Sequence, residues 1–397
     1  MPSLNQPSPL QNPLTSSPQK PKILLLTDWF APGYKAGGPI RSSVNFAHIM
    51  ARDFEIYVVT KDTDLGSTEA YDGLESNRWL DFTEKVKVWY FSDKQLNSHA
   101  LFVLIENIKP DFIYINSMFS LPFTIWPLWM KWRKKITASI ILAPRGMLRA
   151  SALQFKSGKK KGFLWLLKRM KLHKKIRFQA TDEQEAQDIY RIFGRESNCL
   201  IAPNLPEIEP SPLGPIQKQK KTLKLVYIAR IHPVKNLLFF LRVLKELPLS
   251  LSFDIYGPVE DPAYWEICKT AMTQIASHIQ ISYRGELKPR AVKETLKSYH
   301  IMVLPTQGEN FGHSIFESLS MGRPVLISDQ TIWRNLREKQ IGWDLPLDFI
   351  DDFRKAVTEA WEMDNATFQR WSEASVNFTL SYIQDSKLTA RYLKLFS

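Results

Sequence analysis

The chain has 397 residues, 44% of them apolar, and a formal net charge of +13 at pH 7. At about 100–200 residues per domain this length predicts two domains, while 16 glycines and 25 prolines exclude a collagen-like chain. The excess of positive charge indicates an anionic partner, and charge alone leaves nucleic acid, anionic lipid and a phosphorylated small molecule open.

The cysteines and the N-terminus bear on where the chain works. Cys199 and Cys268 are the two cysteines, and their wide separation is typical of a reducing cytosol and unlike metal-ligand spacing. The first residues are polar and resemble no secretory signal. The most apolar stretch, from Phe119 to Met130, contains two prolines and falls short of the roughly 20 residues of a membrane span. We therefore expect a cytoplasmic protein that is soluble or peripheral on the inner face of the cytoplasmic membrane.

Residues 1–20 are rich in Pro, Ser, Gln and Asn, a composition that predicts a disordered tail. From Lys22 onward, short apolar runs typical of buried parallel strands alternate with helical stretches. The predicted strands are 23–27, 55–60, 86–91, 111–116 and 138–143, with helices at 40–50 and 95–108. This alternation predicts a parallel sheet with helices on both faces, in a Rossmann-like domain over residues 21–205.

Prolines and lysines mark residues 206–222 as a linker, after which the same alternation begins again. The predicted strands are 224–229, 251–256, 279–283, 300–304 and 324–327, and the helices are 234–247, 263–277, 289–299 and 314–321. We expect a second Rossmann-like domain over 223–378 and a C-terminal helix at 379–397 that packs back on the first domain. The fold class is α/β, with two doubly wound parallel sheets facing across a cleft and ligands at the carboxyl ends of the strands.

The strongest motif is the segment 304–317, LPTQGENFGHSIFE, which follows a predicted strand. Its two glycines let a ligand approach the backbone, and a helix starting at Gly312 or His313 offers unpaired N–H groups to an anion. Glu309 precedes this helix and Glu317 lies about one and a half turns into it. A site that binds an anion and has a carboxylate on each side to bind hydroxyl groups fits a sugar nucleotide. The alternative is that both glutamates are ordinary surface charges.

A second motif places two cations at a strand-to-helix turn. Arg230 follows the strand 224–229, and Lys235 stands at the start of the next predicted helix. The guanidinium fork and the ammonium point charge can together hold a diphosphate. They can also balance the charge that builds when a nucleoside diphosphate leaves. The alternative is a basic edge that faces solvent.

Two loops of the first domain also follow strands. Gly37 and Gly38 lie in the first loop with Arg41 close behind, and Pro39 suits a first helical turn. The loop lacks the GxGxxG pattern of dinucleotide binding, so an ordinary glycine turn is the alternative to a ligand loop. Arg145 lies in the later loop, in the sequence Pro-Arg-Gly-Met. This arginine suits either an anionic ligand or a purely structural role.

These segments resemble glycosyltransferase family 4, a group of retaining enzymes with the GT-B fold. The resemblance covers most of the chain from Lys22 onward and is sharpest over 223–345, where Glu309 and Glu317 match the family's Glu-x7-Glu motif. It implies an N-terminal acceptor domain, a C-terminal donor-binding domain, and a glycosyltransferase that moves a sugar from a nucleotide-diphosphate donor. It also implies that Glu309 contacts the donor sugar and Glu317 the ribose, with catalytic roles for Glu309, Arg230 and Lys235.

The resemblance further assigns the remaining site residues. The implied donor site comprises Gly37, Gly38, Arg230, Lys235, Glu309, Asn310, Phe311, Gly312, His313, Ser314 and Glu317. Arg41 and Arg145 are candidates for the acceptor side, although many family members carry a histidine near position 145. The Pro-Arg-Gly-Met form resembles a subset of bacterial polysaccharide enzymes. It implies a glycan or lipid-linked acceptor in cell-surface polysaccharide or lipopolysaccharide synthesis.

Acidic residues at a predicted helix start give a weaker signal. Thr181 suits the N-cap position, with Asp182, Glu183 and Glu185 in the first turn. In related chains this region borders the cleft, and a purely structural cap is the alternative. Asn204 resembles a hinge-side Pro-Asn element and is otherwise an ordinary turn residue.

The sequence predicts no metal and no cofactor besides the nucleotide-sugar substrate. The donor motifs contain neither a metal-ligand cluster nor an Asp-x-Asp element. The family's front-face attack, in which the leaving phosphate takes the acceptor proton, is the implied route to retention. UDP and GDP donors both remain open.

Two stretches combine basic and aromatic residues, one from Trp126 to Lys135 and the other from Lys156 to Arg177. This combination is typical of a surface that binds anionic lipid, which would bring a lipid-linked acceptor to the cleft. Nucleic acid is the competing partner, but no nucleic-acid motif accompanies the charge. Merely solvated amphipathic helices are the third interpretation.

Two functions compete with glycosyl transfer. A non-catalytic sugar-nucleotide-binding scaffold would be favoured by loss of Glu309, Arg230 or Lys235, and all three are present. A nucleotide-sugar epimerase of the same fold would need acid and base groups near the donor, which His232 and His313 keep open.

Overall fold

A computed structural model describes residues 20–149, 152–153, 157–207 and 216–397. It has two sheets of parallel α/β type, one of eight strands and one of six. The predicted pair of doubly wound domains is therefore confirmed. The predicted tail up to residue 19, Lys156 of the second basic stretch and residues 208–215 of the predicted linker lie outside the described residues.

The N-terminal domain is built on the eight-stranded sheet, in the order β3-β4-β2-β1-β5-β6-β7-β8. Its strands are β1 Lys22–Leu26, β2 Glu55–Lys61, β3 Trp79–Thr83, β4 Val86–Phe91, β5 Phe112–Ile115, β6 Ser139–Leu142, β7 Arg177–Ala180 and β8 Cys199–Ile201. Its helices are α1 Gly38–Met50, α2 Ser98–Ile108, α3 Trp126–Trp132, α4 Ser157–Arg169 and α5 Glu183–Phe193. A π-helical turn, Leu121–Ile125, leads directly into α3.

The C-terminal domain is built on the six-stranded sheet, in the order β11-β10-β9-β12-β13-β14, with every pair parallel. Its strands are β9 Lys224–Ile228, β10 Leu251–Tyr256, β11 Ile279–Tyr283, β12 Ile301–Leu304, β13 Val325–Ser328 and β14 Gly342–Leu345. Its helices are α6 Leu237–Lys245, α7 Pro262–Thr273, α8 Pro289–Leu296, α9 His313–Ser320, α10 Ile350–Glu362, α11 Asn365–Gln384 and α12 Ser386–Leu393. The central strands β12 and β13 are buried at every position, which explains their unbroken apolar sequences.

Two helices begin later than the sequence predicts, each for a local reason. Asn97 caps α2, because its side chain accepts hydrogen bonds from the backbone N–H groups of His99 and Ala100 at 3.1 and 2.9 Å. The helix therefore starts at Ser98 and not at 95. Asn236 adopts the left-handed backbone, with φ 57°, and so separates the 3-10 turn Pro233–Lys235 from α6. The predicted helix from 234 was wrong over these first residues.

Four strands were missed by the sequence analysis. β3 pairs antiparallel with β4 at one edge of the first sheet, against an otherwise parallel pattern. β7 and β8 extend the other edge, and β14 closes one edge of the second sheet. β7 opens with an arginine inside the basic stretch, while β8 has three half-buried residues. Of the four, β3, β7 and β14 mix polar and apolar residues, and β8 has only three residues, so none shows the apolar run that identified the central strands.

The C-terminal segment packs on the N-terminal domain. Leu388, Tyr392, Leu395 and Phe396 are buried in the same core cluster as β1, β2 and α1. Arg177, at the start of β7, fixes the end of the chain through its Nη1 atom. It donates hydrogen bonds to the backbone oxygens of Lys394, Leu395 and Ser397 at 3.1, 2.6 and 3.0 Å.

His300 couples the stability of the C-terminal domain to pH. It is almost fully buried before β12, and its Nδ1 accepts a hydrogen bond from the backbone N–H of Lys224 at 3.0 Å. Burial, aided by the Lys218 cation, lowers the pKa of His300 from 6.5 to about 4. Because the unfolded chain then binds the proton more tightly, the stability from this group is full above pH 6.5 and is lost as the pH falls towards 4.

We therefore expect the protonation of His300 to lower the free energy of unfolding by about 2 kcal/mol when the pH falls from about 7 to about 4.5. Urea unfolding at the two pH values measures this change. His300→Asn keeps a hydrogen-bond acceptor but does not titrate, so its stability should depend less on pH. An unchanged pH dependence in this variant would contradict the assignment.

Candidate functional site

The loop 305–312 joins the buried strand β12 to α9 at the carboxyl edge of the second sheet. We call it the donor loop. The backbone N–H of Gln307 donates to the Val234 oxygen at 2.7 Å, and that of Glu309 donates to the Gln330 oxygen at 3.1 Å. Gly312 caps α9 with φ 77°, and a β-carbon there would lie 2.7 Å from the Ile315 side chain. These contacts hold the loop in one shape and explain why position 312 requires glycine.

The first two predicted motifs meet at an ion pair. The carboxylate of Glu309 contacts the ammonium of Lys235, and both side chains are mostly buried. Lys235 ends the 3-10 turn that Asn236 separates from α6, and the His232 side chain caps this turn by accepting from the Val234 N–H at 3.2 Å. The break at Asn236 thus presents the lysine to the donor loop. Residues far apart in sequence form one charged centre.

Arg230 stands at the end of β9, outside this ion pair. Its guanidinium forms a salt bridge with Glu260 at 2.5 Å, and both side chains are about one third exposed. The Tyr227 hydroxyl donates to the Arg230 backbone oxygen at 3.3 Å and fixes the turn. Arg230 is therefore anchored at the strand end, with a side chain that solvent can reach.

The glycine loop of the first domain faces α9 across the cleft. Gly37 has φ 66°, and α1 begins at Gly38. A β-carbon at Gly38 would lie 3.7 Å from the His313 ring. One turn later, the guanidinium of Arg41 forms an ion pair with the carboxylate of Glu317. The structure therefore brings Gly38 and Arg41 of the first motif loop to His313 and Glu317 of the last one.

His313 is held neutral at the start of α9. Burial, aided by the cations of Arg41 and Arg145, lowers the pKa of His313 to about 3. Its Nε2 atom is buried and has no hydrogen-bond partner within the described residues. The imidazole therefore presents an unused polar atom at a helix N-terminus, between two domains.

The next donor-loop residues differ in what their side chains do. The Asn310 side-chain oxygen accepts a hydrogen bond from the Thr181 hydroxyl at 2.5 Å, which is a contact between domains. Phe311 points into the core, where its backbone oxygen accepts from Trp333 Nε1 at 2.6 Å. Phe311 can therefore offer a ligand only its backbone. Ser314 follows at the second position of α9, half-buried.

Arg145 lies in a dense hydrogen-bond network. Its three guanidinium nitrogens donate to the side-chain oxygens of Asn116 and Asn204 and, at 2.5 Å, to the Tyr114 hydroxyl. The network ties the ends of β5 and β6 to the segment that leads out of the first domain. Of the two roles that the sequence left open for Arg145, this geometry favours the structural one, and it places Asn204 in the same network.

The acidic residues at the start of α5 also serve the fold. Asp182, and not Thr181 as expected, is the N-cap, since its Oδ1 accepts from the Glu185 N–H at 2.7 Å. Glu185 is fully buried and accepts from the Gly146 N–H at 2.5 Å and the Thr181 N–H at 2.7 Å. Glu183 is exposed.

Arg149 is a site residue that the sequence analysis missed. Its Nη2 lies 3.5 Å from the backbone oxygen of Glu309, on the donor loop, and 3.8 Å from the Asp182 carboxylate. The Pro-Arg-Gly-Met sequence predicted a site residue at Arg145, but Arg149 is the arginine of this loop that contacts the other domain. Its location depends on how the domains meet, which no local pattern encodes.

The described residues contain neither a metal-ligand cluster nor a helix that could span a membrane. No group of three or more His, Cys, Asp or Glu side chains among them could hold a metal ion. None of the described helices is long and apolar enough to cross a membrane.

Comparison with known proteins agrees with this architecture. Residues 222–362 match the family model of glycosyl transferases group 1. A search of curated proteins gives no match. Sucrose-phosphate synthase from Thermosynechococcus elongatus is 12% identical, with a TM-score of 0.72 over 95% of this chain and 98% of that one.

Two further solved structures share the fold. Anabaena HepE, in complex with UDP and glucose, is 13% identical with a TM-score of 0.71 over 94% of this chain and 98% of its own. WaaG, a glycosyltransferase involved in lipopolysaccharide biosynthesis, is 11% identical with a TM-score of 0.64 over 94% and 98%. The predicted GT-B fold is confirmed. Together with the family match over the second domain, it indicates a transferase enzyme of the glycosyltransferase type.

Proposed function

We propose that this protein is a retaining glycosyltransferase that moves a sugar from a nucleoside diphosphate to a glycan or lipid-linked acceptor. The observation that carries the proposal is the meeting of Glu309, Lys235, His313 and Glu317 around one loop and one helix start. A sugar nucleotide needs cations and N–H groups for its diphosphate and carboxylates for its hydroxyl groups. The donor loop and its neighbours supply both kinds of group.

The proposed donor displaces ion pairs that the protein makes with itself. Lys235 would turn from Glu309 to the diphosphate, which frees the Glu309 carboxylate to accept hydrogen bonds from sugar hydroxyls. Glu317 would likewise leave Arg41 for the ribose. Buried charges that lose a partner are costly, and the donor replaces each partner with one of its own.

Charge balance in the proposed reaction comes from side chains and backbone. As the bond between sugar and phosphate breaks, negative charge grows on the leaving diphosphate, and Lys235, Arg230 and the N-terminus of α9 stabilise it. His313, being neutral, offers a hydrogen bond without adding charge. In the proposed front-face route, the acceptor hydroxyl gives its proton to the leaving phosphate oxygen while its own oxygen bonds to the sugar carbon.

A donor panel tests this function. We expect one or a few of a set of UDP-, GDP-, ADP- and dTDP-sugars to bind and to hydrolyse slowly, with equal rates in EDTA and in added Mg²⁺. Arg230→Ala should lower turnover by about tenfold or more, because it removes a charge that we propose stabilises the leaving diphosphate. Arg195→Ala, at an exposed arginine of the first domain, is the matched control. Binding of every donor without turnover would favour the scaffold, and interconversion of sugars would favour the epimerase.

The acceptor is proposed to lie on a membrane, in the synthesis of cell-surface polysaccharide or lipopolysaccharide. Trp129, Trp132 and Trp165 are exposed aromatic side chains in the two basic stretches. Phe163 of the second stretch contacts Phe119, which lies seven residues before the first stretch, with ring centroids 6.0 Å apart. Lysines and arginines surround the exposed rings, a combination that suits anionic headgroups and the apolar layer beneath them.

Vesicle binding tests this surface. The protein should co-sediment with vesicles that contain phosphatidylglycerol, more weakly at high salt, and little with pure phosphatidylcholine. Trp165→Ser, at a ring that is 67% exposed, should weaken binding by about tenfold. Phe349→Ser is the matched control, since Phe349 is 60% exposed on the other domain. Binding to single-stranded RNA but not to vesicles would favour the nucleic-acid alternative.

A further inference from the structure

Arg149 belongs to the first domain, but its guanidinium touches the donor loop of the second. Nη2 lies 3.5 Å from the backbone oxygen of Glu309, and Nη1 lies 3.4 Å from where a β-carbon would stand at Gly308. Lys235 contacts the carboxylate of the same glutamate. The two cations therefore flank Glu309 from different sides, one from each domain.

Much of the hydrogen-bonding capacity of Arg149 is unused. Its Nε is buried and has no hydrogen-bond partner within the described residues. Its contact with Asp182, at 3.8 Å, is too long for a hydrogen bond, and the Asp182 Oδ2 atom is likewise without one there. Buried polar groups left in this state are destabilising. A ligand that accepts hydrogen bonds would satisfy the Arg149 guanidinium, while the Asp182 carboxylate competes with an anionic ligand for it.

We infer that Arg149 binds a phosphoryl group of the acceptor, an inference that rests on the proposed function. A guanidinium fork fits the tetrahedral oxygens of a phosphate ester. The donor diphosphate already has Lys235, Arg230 and the start of α9 in the second domain. Arg149 approaches the proposed donor-sugar site from the first domain, where the acceptor must enter. The phosphoryl group belongs either to a soluble sugar phosphate or to a lipid-linked sugar.

The inference is tested by ligand binding to the full chain, saturated with the nucleoside diphosphate that the donor panel identifies. The probes are matched pairs: glucose 6-phosphate and galactose 1-phosphate against glucose and galactose, and polyprenyl phosphate against polyprenol in detergent. Inorganic phosphate serves as a probe independent of the sugar. We expect at least one phosphorylated probe to bind about tenfold more tightly than its neutral partner. The soluble and lipid pairs distinguish the two sources of the phosphoryl group.

Three variants separate ligand binding from a structural role. Arg149→Gln should abolish the preference for phosphate, and Arg149→Lys should restore part of it. Asp182→Asn should strengthen phosphate binding, because it removes a competing carboxylate while asparagine still caps α5. A phosphate preference that persists in Arg149→Gln, or is absent from the wild type, overturns the inference. Failure of every nucleoside diphosphate of the donor panel to bind the wild type would instead refute the proposed function.

Discussion

Glu309→Gln is expected to lower the rate of sugar transfer by about a hundredfold or more. The same decrease is expected in the rate of donor hydrolysis, which is measured where no acceptor is known. The substitution keeps the size of the side chain but removes the charge that pairs with Lys235. It also removes the stronger acceptor for the donor hydroxyls, so both the donor sugar and the lysine lose their orientation. Steady-state turnover on the donor identified by the panel measures the effect.

The matched control for this prediction is Glu294→Gln. Glu294 is an exposed glutamate of α8 that pairs with Lys297 at 2.5 Å, away from the donor loop. Its substitution should leave turnover within about twofold, because exposed ion pairs contribute little. Thermal unfolding of both variants shows whether lost activity reflects lost structure. Wild-type turnover in Glu309→Gln would place the donor sugar elsewhere.

Phe396→Ala should destabilise the protein by about 3–5 kcal/mol, although it changes the second-last residue of the chain. The ring is buried in the core of the N-terminal domain. Its ring neighbours at 5.5–5.8 Å are Phe46, Phe54, Phe112 and Tyr114. Removing it leaves a cavity among four aromatic side chains, which cannot collapse without distorting β5 and α1. Denaturant unfolding measures the loss.

Leu393→Ala is the control for the C-terminal contact. Leu393 ends α12 and is 38% exposed, so its truncation should change stability by less than about 0.5 kcal/mol. A similar small effect of Phe396→Ala would show that the C-terminal segment does not anchor the first domain. Selective unfolding of the first domain in Phe396→Ala would agree with the packing seen in the structure. Tryptophan fluorescence monitors this unfolding.

Under the proposed function, donor binding is an exchange of ion-pair partners. The two glutamates of the donor motif already have cationic partners, Lys235 within the domain and Arg41 across the cleft. The Tyr34 hydroxyl also donates to the Glu286 carboxylate across the cleft at 3.0 Å. Contacts of this kind hold the two domains together. The affinity for donor will therefore be the difference between the new contacts and those that it replaces.

The sequence by itself determined the elements whose cause is local. The central strands β9, β12 and β13 were predictable because their burial on both faces demands unbroken apolar runs. The start of α9 was predictable because Gly312 must adopt a backbone that other residues disfavour. The spacing of Glu309 and Glu317 likewise follows from one loop and one helix.

Prediction from local sequence fails at the edges of the sheets and at the helix caps. β3 is interrupted by Asp81 and β8 is only three residues long, so neither carries an apolar run of the length that identified the central strands. The N-cap of α5 was misplaced by one residue, since Thr181 and Asp182 are both good caps and their neighbours decide between them. Thr181 instead contacts Asn310 of the other domain.

Only the tertiary structure decided which charges meet. Arg41 pairs with Glu317 across the cleft, and Lys235 pairs with Glu309 of a distant segment in the same domain, so tertiary packing decides both pairs. Arg145 and Arg149 lie four positions apart in one loop, yet one is enclosed in a hydrogen-bond network and the other reaches the donor loop. Sequence patterns report how a segment relates to its own backbone and to solvent. Which partner a side chain finds across the cleft is set by how the two domains fit together.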